Sequence, residues 1–308
     1  MNRGALLAAG AVAALLLAAR PAAAYVRYTS NMGKMFKWSQ SCVFVTVFPE
    51  DLLGMMSRDE ILGAIDASAG AWSKNSNACT YLDIMVSSSD AKTPRAVNDG
   101  RNNVIFRTTS WCKQLSNGMC DPSMPYDPAA LALTSVSAST SSGIIRDADI
   151  EVNAERFQWA DLVLHPTLSG DGQSFHDLQN AVTHEMGHLI GLDHTCYLQP
   201  PAPLDDMGNP IPDCMDASPE VLATTMFPSA NPGDTDKRTL EADDIRAVCE
   251  IYPVAQDPMT CAPGVDDPAG CGGCASGGTP ARGLASLVVL AAAAVILAAR
   301  ARTRRRRG

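Results

Sequence analysis

One short motif constrains this chain more than any other feature of its sequence. Residues 181–194 read Ala-Val-Thr-His-Glu-Met-Gly-His-Leu-Ile-Gly-Leu-Asp-His and contain three of the five histidines. On an α-helix, His184 and His188 are four residues apart, so their imidazoles share one face. Gly191 permits a sharp turn that can return His194 as a third nitrogen ligand. Three neutral imidazoles leave one open position in a tetrahedral zinc site.

The residue after the first histidine supplies the acid–base group that such a site needs. Glu185 follows His184 directly, so its carboxylate can reach a water molecule held by the same metal. Zinc lowers the pKa of its water to about 7, and a nearby carboxylate can accept the proton. An ordinary amphipathic helix is the alternative, but it needs neither a third histidine nor this glutamate. The motif therefore predicts catalytic Zn²⁺ held by His184, His188 and His194, with Glu185 as the general base.

The motif and a segment downstream of it resemble the metzincin zinc endopeptidases, and among them the matrixins. Residues 223–228 read Ala-Thr-Thr-Met-Phe-Pro, which is similar to the matrixin Met-turn, and residues 240–245 read Leu-Glu-Ala-Asp-Asp-Ile. The resemblance extends over about residues 43–252 and implies a metzincin-like catalytic domain. Met226 would then form the base of the metal site without taking part in the chemistry. A protein or peptide substrate is implied, and structural Ca²⁺ is compatible with the family.

Local patterns predict a mixed α/β (α+β) fold around the motif. A capping box at residues 57–60, followed by apolar residues at helical spacing, predicts one long helix. The motif predicts a second, active-site helix, and residues 243–252 predict a C-terminal helix. Alternating residues predict strands at 43–48, 82–86, 104–107, 131–137 and 147–153. We therefore expect a twisted mixed sheet backed by two long helices, with the Met-turn and the C-terminal helix after them.

Two segments should border the active-site cleft. Residues 131–137 predict an edge strand, and the corresponding strand of matrixins binds extended substrate through main-chain hydrogen bonds. A capped edge that binds nothing is the alternative. Residues 195–223 form a long insertion compared with compact matrixins, and they contain Cys196 and Cys214. We interpret this insertion as a disulfide-closed flap beside the cleft, whereas residues 98–127 predict a surface loop.

Several other residues compete for the assigned roles. Asp193 is a rival metal ligand, but the Gly-x-x-His spacing favours the histidine that follows it. Met207 and Met215 are rival Met-turn residues, but neither precedes an aromatic residue and a proline. His165 and His176 could serve a second metal, although the simpler interpretation places both on the surface.

The ten cysteines predict a disulfide-bonded, exported protein. Eight of them lie between Cys42 and Cys261, and two lie in a glycine-rich tail. An even set that follows a signal peptide is typical of disulfides. Proximity in sequence most favours the pairs Cys112–Cys120 and Cys196–Cys214. It favours the pairs Cys42–Cys79 and Cys249–Cys261 less strongly.

Both ends of the chain carry targeting patterns. An apolar run at residues 5–19, followed by a small-residue cleavage site at residues 22–24, predicts a signal peptide cut after Ala24. The run is too short to span a membrane as an anchor. An apolar segment followed by arginines predicts a C-terminal membrane span. With the Gly/Cys stretch before it, this end resembles the sorting tails of myxobacterial surface proteins, and a retained anchor is the alternative. The predicted organisation is signal peptide 1–24, catalytic domain 25–252, linker and sorting motif 253–282, membrane segment 283–299 and Arg-rich cytoplasmic end 300–308.

Charge and motif together define the expected function. The net charge of −9 disfavours nucleic acid as a partner. We expect a monomeric, secreted or cell-surface zinc-dependent endopeptidase. Two alternatives stay open, namely a zinc hydrolase of a non-peptide amide or ester, and a non-catalytic adhesion or binding protein on the same scaffold. The presence of Glu185 favours catalysis, because a binding protein needs no general base.

Overall fold

The computed structural model describes residues 25–261 except 92, 93, 116, 171, 173, 206 and 207. Its strands are β1 (Val26–Arg27), β2 (Cys42–Phe48), β3 (Leu52–Leu53), β4 (Met56–Ser57), β5 (Asp83–Ser88), β6 (Asn102–Arg107), β7 (Cys112–Gln114), β8 (Cys120–Pro125), β9 (Ala132–Ala138), β10 (Ile145–Asn153), β11 (Gln158–Ala160), β12 (Phe175–Asp177) and β13 (Leu192–Asp193). Its α-helices are α1 (Arg58–Trp72), α2 (Leu178–Leu189), α3 (Pro219–Ala223) and α4 (Ala242–Ile251).

A five-stranded mixed sheet in the order β5-β2-β6-β10-β9 forms the main layer. Neighbouring strands are parallel except for β9, which runs antiparallel to β10 at the edge. The strands β2 and β5 flank α1 in sequence and pair in parallel, as the strand–helix–strand pattern predicts. The predicted α+β fold with a twisted mixed sheet is confirmed, and so is the position of the edge strand.

The two long helices pack together through buried side chains. Ser57 caps α1 by accepting a hydrogen bond from the Glu60 amide, and the Glu60 carboxylate accepts one from the Ser57 amide at 2.7 Å. The last residue of α1, Trp72, is fully buried and donates its indole N–H to the Thr183 carbonyl in α2 at 2.8 Å. This contact fixes α2 against α1.

Two disulfides differ from the predicted pairs. The predicted pairs Cys112–Cys120 and Cys196–Cys214 are confirmed. The predicted pairs Cys42–Cys79 and Cys249–Cys261 are wrong, because Cys42 bonds to Cys261 and Cys79 bonds to Cys249. The reason is the path of the chain after α4, which returns to the start of β2, where the Ser41 amide donates to the Thr260 carbonyl at 2.8 Å. Residues 253–261, which the sequence predicts as part of the linker, are therefore fastened to the domain that contains the main sheet.

The predicted strand at 104–107 is confirmed as β6, which lies inside the sheet. The rest of the predicted surface loop at 98–127 differs from the prediction, because it contains the β7–β8 hairpin, which the Cys112–Cys120 disulfide joins. The predicted signal peptide, most of the linker and the C-terminal membrane segment lie outside the described residues. Within the described part of the chain, no helix is long and apolar enough to cross a membrane.

The strand β10 has an acidic face that is buried away from the core. Asp147 accepts hydrogen bonds from the amides of Asp99 and Gly100, and Asp149 accepts one from the Asn103 amide at 2.9 Å. Burial is the largest cause of the raised pKa of both carboxyls, and for Asp149 the charge of Asp147 is the next cause. The environment of both carboxyls in the folded protein therefore disfavours their negatively charged form.

Asp149 should make stability fall as pH rises. Its pKa is raised from 3.8 to about 9, so the folded protein retains a proton that the unfolded chain releases. Its contribution to the free energy of unfolding is complete below about pH 4. This contribution falls by up to about 1.4 kcal/mol per pH unit and is lost towards about pH 9. In Asp149→Asn, the new amide oxygen can still accept the hydrogen bond from the Asn103 amide. Urea unfolding of this variant in the presence of a chelator should show a weaker decline of the free energy of unfolding with rising pH.

Equal pH slopes for the variant and the wild type would contradict this account of Asp149. The same unfolding curves with calcium in place of the chelator test the structural Ca²⁺ that the resemblance implies. An unchanged midpoint would exclude a stabilising calcium ion.

Candidate metal centre

The helix α2 carries two of the three candidate ligands on one buried face. Its N-cap, Asp177, accepts a hydrogen bond from the Asn180 amide at 2.8 Å. His184 and His188 lie one turn apart, with ring centroids 4.8 Å from each other. The apolar residues Leu178, Val182 and Leu189 are fully buried in the core. Core packing thus fixes the helix, and the helical repeat places both imidazoles on the same side of it.

A glycine turn brings the third histidine back to the other two. Gly191 has a φ of +101°, and an ideal Cβ at this residue would lie 2.7 Å from the Phe36 carbonyl oxygen. Glycine is therefore required both by the backbone conformation and by the close approach of the chain. The two residues after it form β13, which pairs with β1 and leads directly into His194.

The three imidazoles converge through their Nε2 atoms. Nε2 of His194 lies 3.2 Å from Nε2 of His184 and 3.1 Å from Nε2 of His188. The opposite nitrogens of the two helical histidines contact carbonyl oxygens: Nδ1 of His184 is 2.6 Å from the Thr225 oxygen, and Nδ1 of His188 is 2.8 Å from the Leu192 oxygen. A carbonyl only accepts, so each Nδ1 carries the proton, and the lone pairs of both Nε2 atoms point at the shared centre.

This donor set fits a tetrahedral metal ion. Tetrahedral zinc with bonds of about 2.0–2.1 Å to imidazole would separate its nitrogen ligands by about 3.3 Å, close to the observed spacing. Lone pairs that face one another at this distance repel unless a cation or proton lies between them. Among the described residues, these three histidines are the group of candidate ligands close enough to hold a metal ion.

Burial favours the neutral form of His184 and His194, which metal ligation requires. It is the largest cause of the low pKa of His184, and the neighbouring Lys237 charge lowers that pKa further. It also lowers the pKa of His194 to about 2, with a further contribution from His188. Neutral imidazole is the ligating species, so the protein loses no proton from these groups when a metal binds near neutral pH.

Glu185 is held at the mouth of this cluster by the edge strand. Its side chain is 6% exposed, and its Oε2 accepts a hydrogen bond from Oγ1 of Thr134 in β9 at 2.5 Å. Burial raises the pKa of Glu185, and the charge of His188 and the Thr134 hydroxyl counteract this rise in part. A desolvated carboxylate with a raised pKa is a stronger base than one in water, as general-base catalysis needs.

Met226 closes the site from below. It is fully buried, and an ideal Cβ at Gly187 would lie 2.2 Å from its Sδ, so its side chain packs on the helix backbone between the two ligands. The preceding residue, Thr225, supplies the carbonyl that orients His184. Asp244 in α4 accepts the Thr225 amide at 2.9 Å, which ties this turn to the C-terminal helix.

A cleft of about 480 Å³ opens over the three histidines and Glu185. Residues 131–134 of the edge-strand region form one wall, and residues 228–230 after Met226 contribute to the lining. The insertion at 195–223 reaches the cleft through Leu198, while the Cys196–Cys214 disulfide closes its base. Tyr28 also lines the cleft, and its ring stacks on His188 with centroids 5.5 Å apart.

The rival residues do not join this cluster. Asp193 accepts the His194 amide at 2.7 Å, which fixes the turn before the third histidine. Met215 is 91% exposed, and Met207 lies outside the described residues. His165 is half-exposed beside Glu60, with 2.8 Å between Nε2 and Oε1. The predicted surface position of His176 is wrong, because its side chain is buried against the ring of Phe157.

Three residues that shape the site have no distinctive sequence signal of their own. Thr134 holds Glu185, Asp244 holds the turn before Met226, and Lys237 lines the cleft. Asp244 lies in the segment that resembles matrixins, and this resemblance is the signal that could have indicated its role. Thr134 and Lys237 act across long sequence distances, and no local spacing marks them.

Enlarging Gly187 should disturb the metal centre. In Gly187→Ala, the new methyl would meet Met226 and, at 2.9 Å, the buried ring of Trp72. We expect a loss of about 1–3 kcal/mol in the free energy of unfolding, together with faster zinc loss to a chelator. Gly63→Ala on an exposed part of α1, where nothing lies within 4 Å, should be neutral or slightly stabilising. Equal unfolding midpoints for the two variants would contradict this packing.

Comparison with known proteins finds only weak structural similarity. None of the protein-family models and none of the curated protein sequences matches this chain. A structure titled as the GM1-bound form of the ECX AB5 holotoxin is 10% identical, with a TM-score of 0.39, over 74% of this chain and 88% of that chain. Two myroilysin structures are 14% and 13% identical, with TM-scores of 0.31 and 0.30, over 70% and 71% of this chain and 86% and 82% of theirs. At these TM-scores, the function has to be argued from the site itself.

Proposed function

We propose that the protein is a zinc-dependent endopeptidase of the metzincin type, similar to matrixins, that acts outside the cytoplasm. The observation that carries this proposal is the convergence of three Nε2 atoms beside the Glu185 carboxylate at the floor of an open cleft. Neutral, oriented imidazoles are a typical zinc donor set, and three of them leave a position for the substrate. The Met-turn and the glycine turn support the same interpretation.

The residues of this chain divide the work of hydrolysis. His184, His188 and His194 would hold the zinc ion, which supplies Lewis-acid polarisation of the scissile carbonyl and of the attacking water. Glu185 accepts the proton of that water and passes it to the leaving amine. The Thr134 hydroxyl keeps the Glu185 carboxylate aimed into the cleft at 2.5 Å. Met226 stays behind the ligands and takes no part in proton transfer.

The edge strand favours an extended peptide as the substrate. The strand β9 pairs with β10 on one side, and its other side adjoins the cleft through Leu133 and Thr134. A peptide added to such an edge gains main-chain hydrogen bonds whatever its sequence, while pockets choose its side chains. This geometry supports a peptide over a small amide or ester, which would leave the edge unused.

The disulfides support action outside the cytoplasm. Four cysteine pairs join within the described residues, and structural disulfides persist in oxidising compartments. We propose that the signal peptide ends at Ala24 and that the C-terminal segment sorts the protein to the cell surface. Sequencing the N-terminus of the exported protein should give Tyr25 first, and a retained residue 1–24 segment would contradict this.

Replacing the general base should abolish cleavage without disturbing the fold. In Glu185→Gln, the amide oxygen can still accept from Thr134, so packing and zinc content should stay unchanged. We expect kcat/KM on a mixed peptide library to fall by about 10²–10⁴-fold, the usual contribution of a positioned base. Zinc content measured on the same samples is the control.

Equal cleavage by the two proteins would refute the role of Glu185. Failure of both proteins to cleave any peptide while zinc is bound would favour the alternatives. Hydrolysis of amide or ester substrates would then indicate a zinc hydrolase of another class, and its absence would indicate a binding protein.

A further inference from the structure

A buried lysine lines the cleft and has no role in the proposed reaction. Lys237 belongs to the 3₁₀ helix Asp236–Arg238 and is 8% exposed. It lines both the cleft and an adjoining cavity that residues 229–231 also line. Its backbone amide donates to the side chain of Asn180 in α2 at 2.7 Å, so its position is fixed relative to the helix that carries the ligands.

The ammonium group is only partly satisfied by the protein. It donates to the carbonyl oxygens of Phe227 and, at 3.0 Å, of Ser229. It also lies over the Phe227 ring, 5.8 Å from the centroid. A lysine ammonium has three N–H groups, so two carbonyls leave one N–H group that can donate to an anion. Among the described residues, no salt bridge with a carboxylate includes Lys237, although its charge interacts with Glu185, Asp234 and Asp244 at longer range.

Holding this cation in place costs free energy that a ligand could recover. Burial lowers the pKa of Lys237 to about 8, while the longer-range carboxylates raise it in part. The group therefore remains largely protonated at neutral pH but lacks a close counter-charge. A buried cation without a paired anion is stabilised when a carboxylate arrives and forms a charge-assisted hydrogen bond. The adjoining cavity, at about 630 Å³, offers room for a side chain.

We propose that Lys237 makes the cleft selective for substrates with a carboxylate close to the scissile bond, which it binds as an ion pair. This inference rests on the proposed peptidase function and gives it a substrate class. The carboxylate could belong to an Asp or Glu side chain or to the C-terminus of a peptide. Both carry the same chemistry, so the experiment has to separate them.

Matched peptides that differ only in charge test this selectivity. Pairs with Glu or Gln, and with Asp or Asn, would be placed at each position around one cleavable bond, with amidated and with free C-termini. At one position, the wild type should cleave the acidic member with a kcat/KM about ten- to hundredfold higher, as a charge-assisted hydrogen bond allows. Preference restricted to free C-termini would assign the carboxylate to the peptide end.

Variants of the lysine should remove or retain the preference. Lys237→Met should erase the difference within each pair, while Lys237→Arg should retain it. Lys113→Met, which removes an exposed lysine of β7 away from the cleft lining, is the matched control and should keep the wild-type preference. Binding of the same pairs to the zinc-loaded wild type, measured by calorimetry, gives a readout that does not depend on turnover.

Specific results would overturn this inference. Equal kcat/KM and equal Kd for the Glu and Gln members at every position would exclude a carboxylate partner, even if Lys237→Met fails to fold. A uniform loss of activity in Lys237→Met with the preference retained would mean that the lysine acts on Glu185 instead. Absence of all cleavage would contradict the peptidase proposal, and the binding comparison would still decide the role of Lys237.

Discussion

Two hydrogen bonds from imidazole to backbone carbonyl hold the centre of this molecule together. They join Nδ1 of His184 to the Thr225 carbonyl and Nδ1 of His188 to the Leu192 carbonyl. Each bond sets the tautomer of a histidine and turns its Nε2 lone pair towards the metal position. Because the carbonyls come from the turn before Met226 and from β13, the same bonds fix both segments to α2. The ligand geometry and the fold are thus one set of constraints.

The rest of the domain supplies the rigidity that these bonds need. Arg238 forms ion pairs with Asp161 and with Asp177, the residue that caps α2, at 2.5 and 2.7 Å. Asp244 in α4 fixes the turn before Met226, because its carboxylate accepts hydrogen bonds from the Thr225 and Glu241 amides. Buried networks of this kind are stable only when nearly every polar group is paired. Lys237 lines the cleft and forms no salt bridge with a carboxylate among the described residues, which is why we assign it to the substrate.

Much of this structure follows from local sequence, and the departures have a common cause. The helical period and the capping box predict α1 and α2, and the alternation of residues predicts the strands of the sheet, including the edge strand. These predictions succeed because the signals act over a few residues. Cys42 pairs with Cys261 rather than with Cys79 because the chain returns to β2 only after α4. The burial of His176 likewise depends on Phe157, a partner outside its local segment. Contacts that depend on how distant segments meet leave no periodic mark in the sequence.

The central claim is that His184, His188 and His194 together bind one zinc ion. X-ray absorption at the zinc edge, on the purified exported protein with its metal content measured, tests this claim directly. We predict one zinc per chain, with three imidazole nitrogens at about 2.0–2.1 Å and one oxygen ligand, and the loss of one imidazole in His194→Gln. A protein without stoichiometric zinc, or a shell that contains sulfur or is unchanged in His194→Gln, would contradict the account.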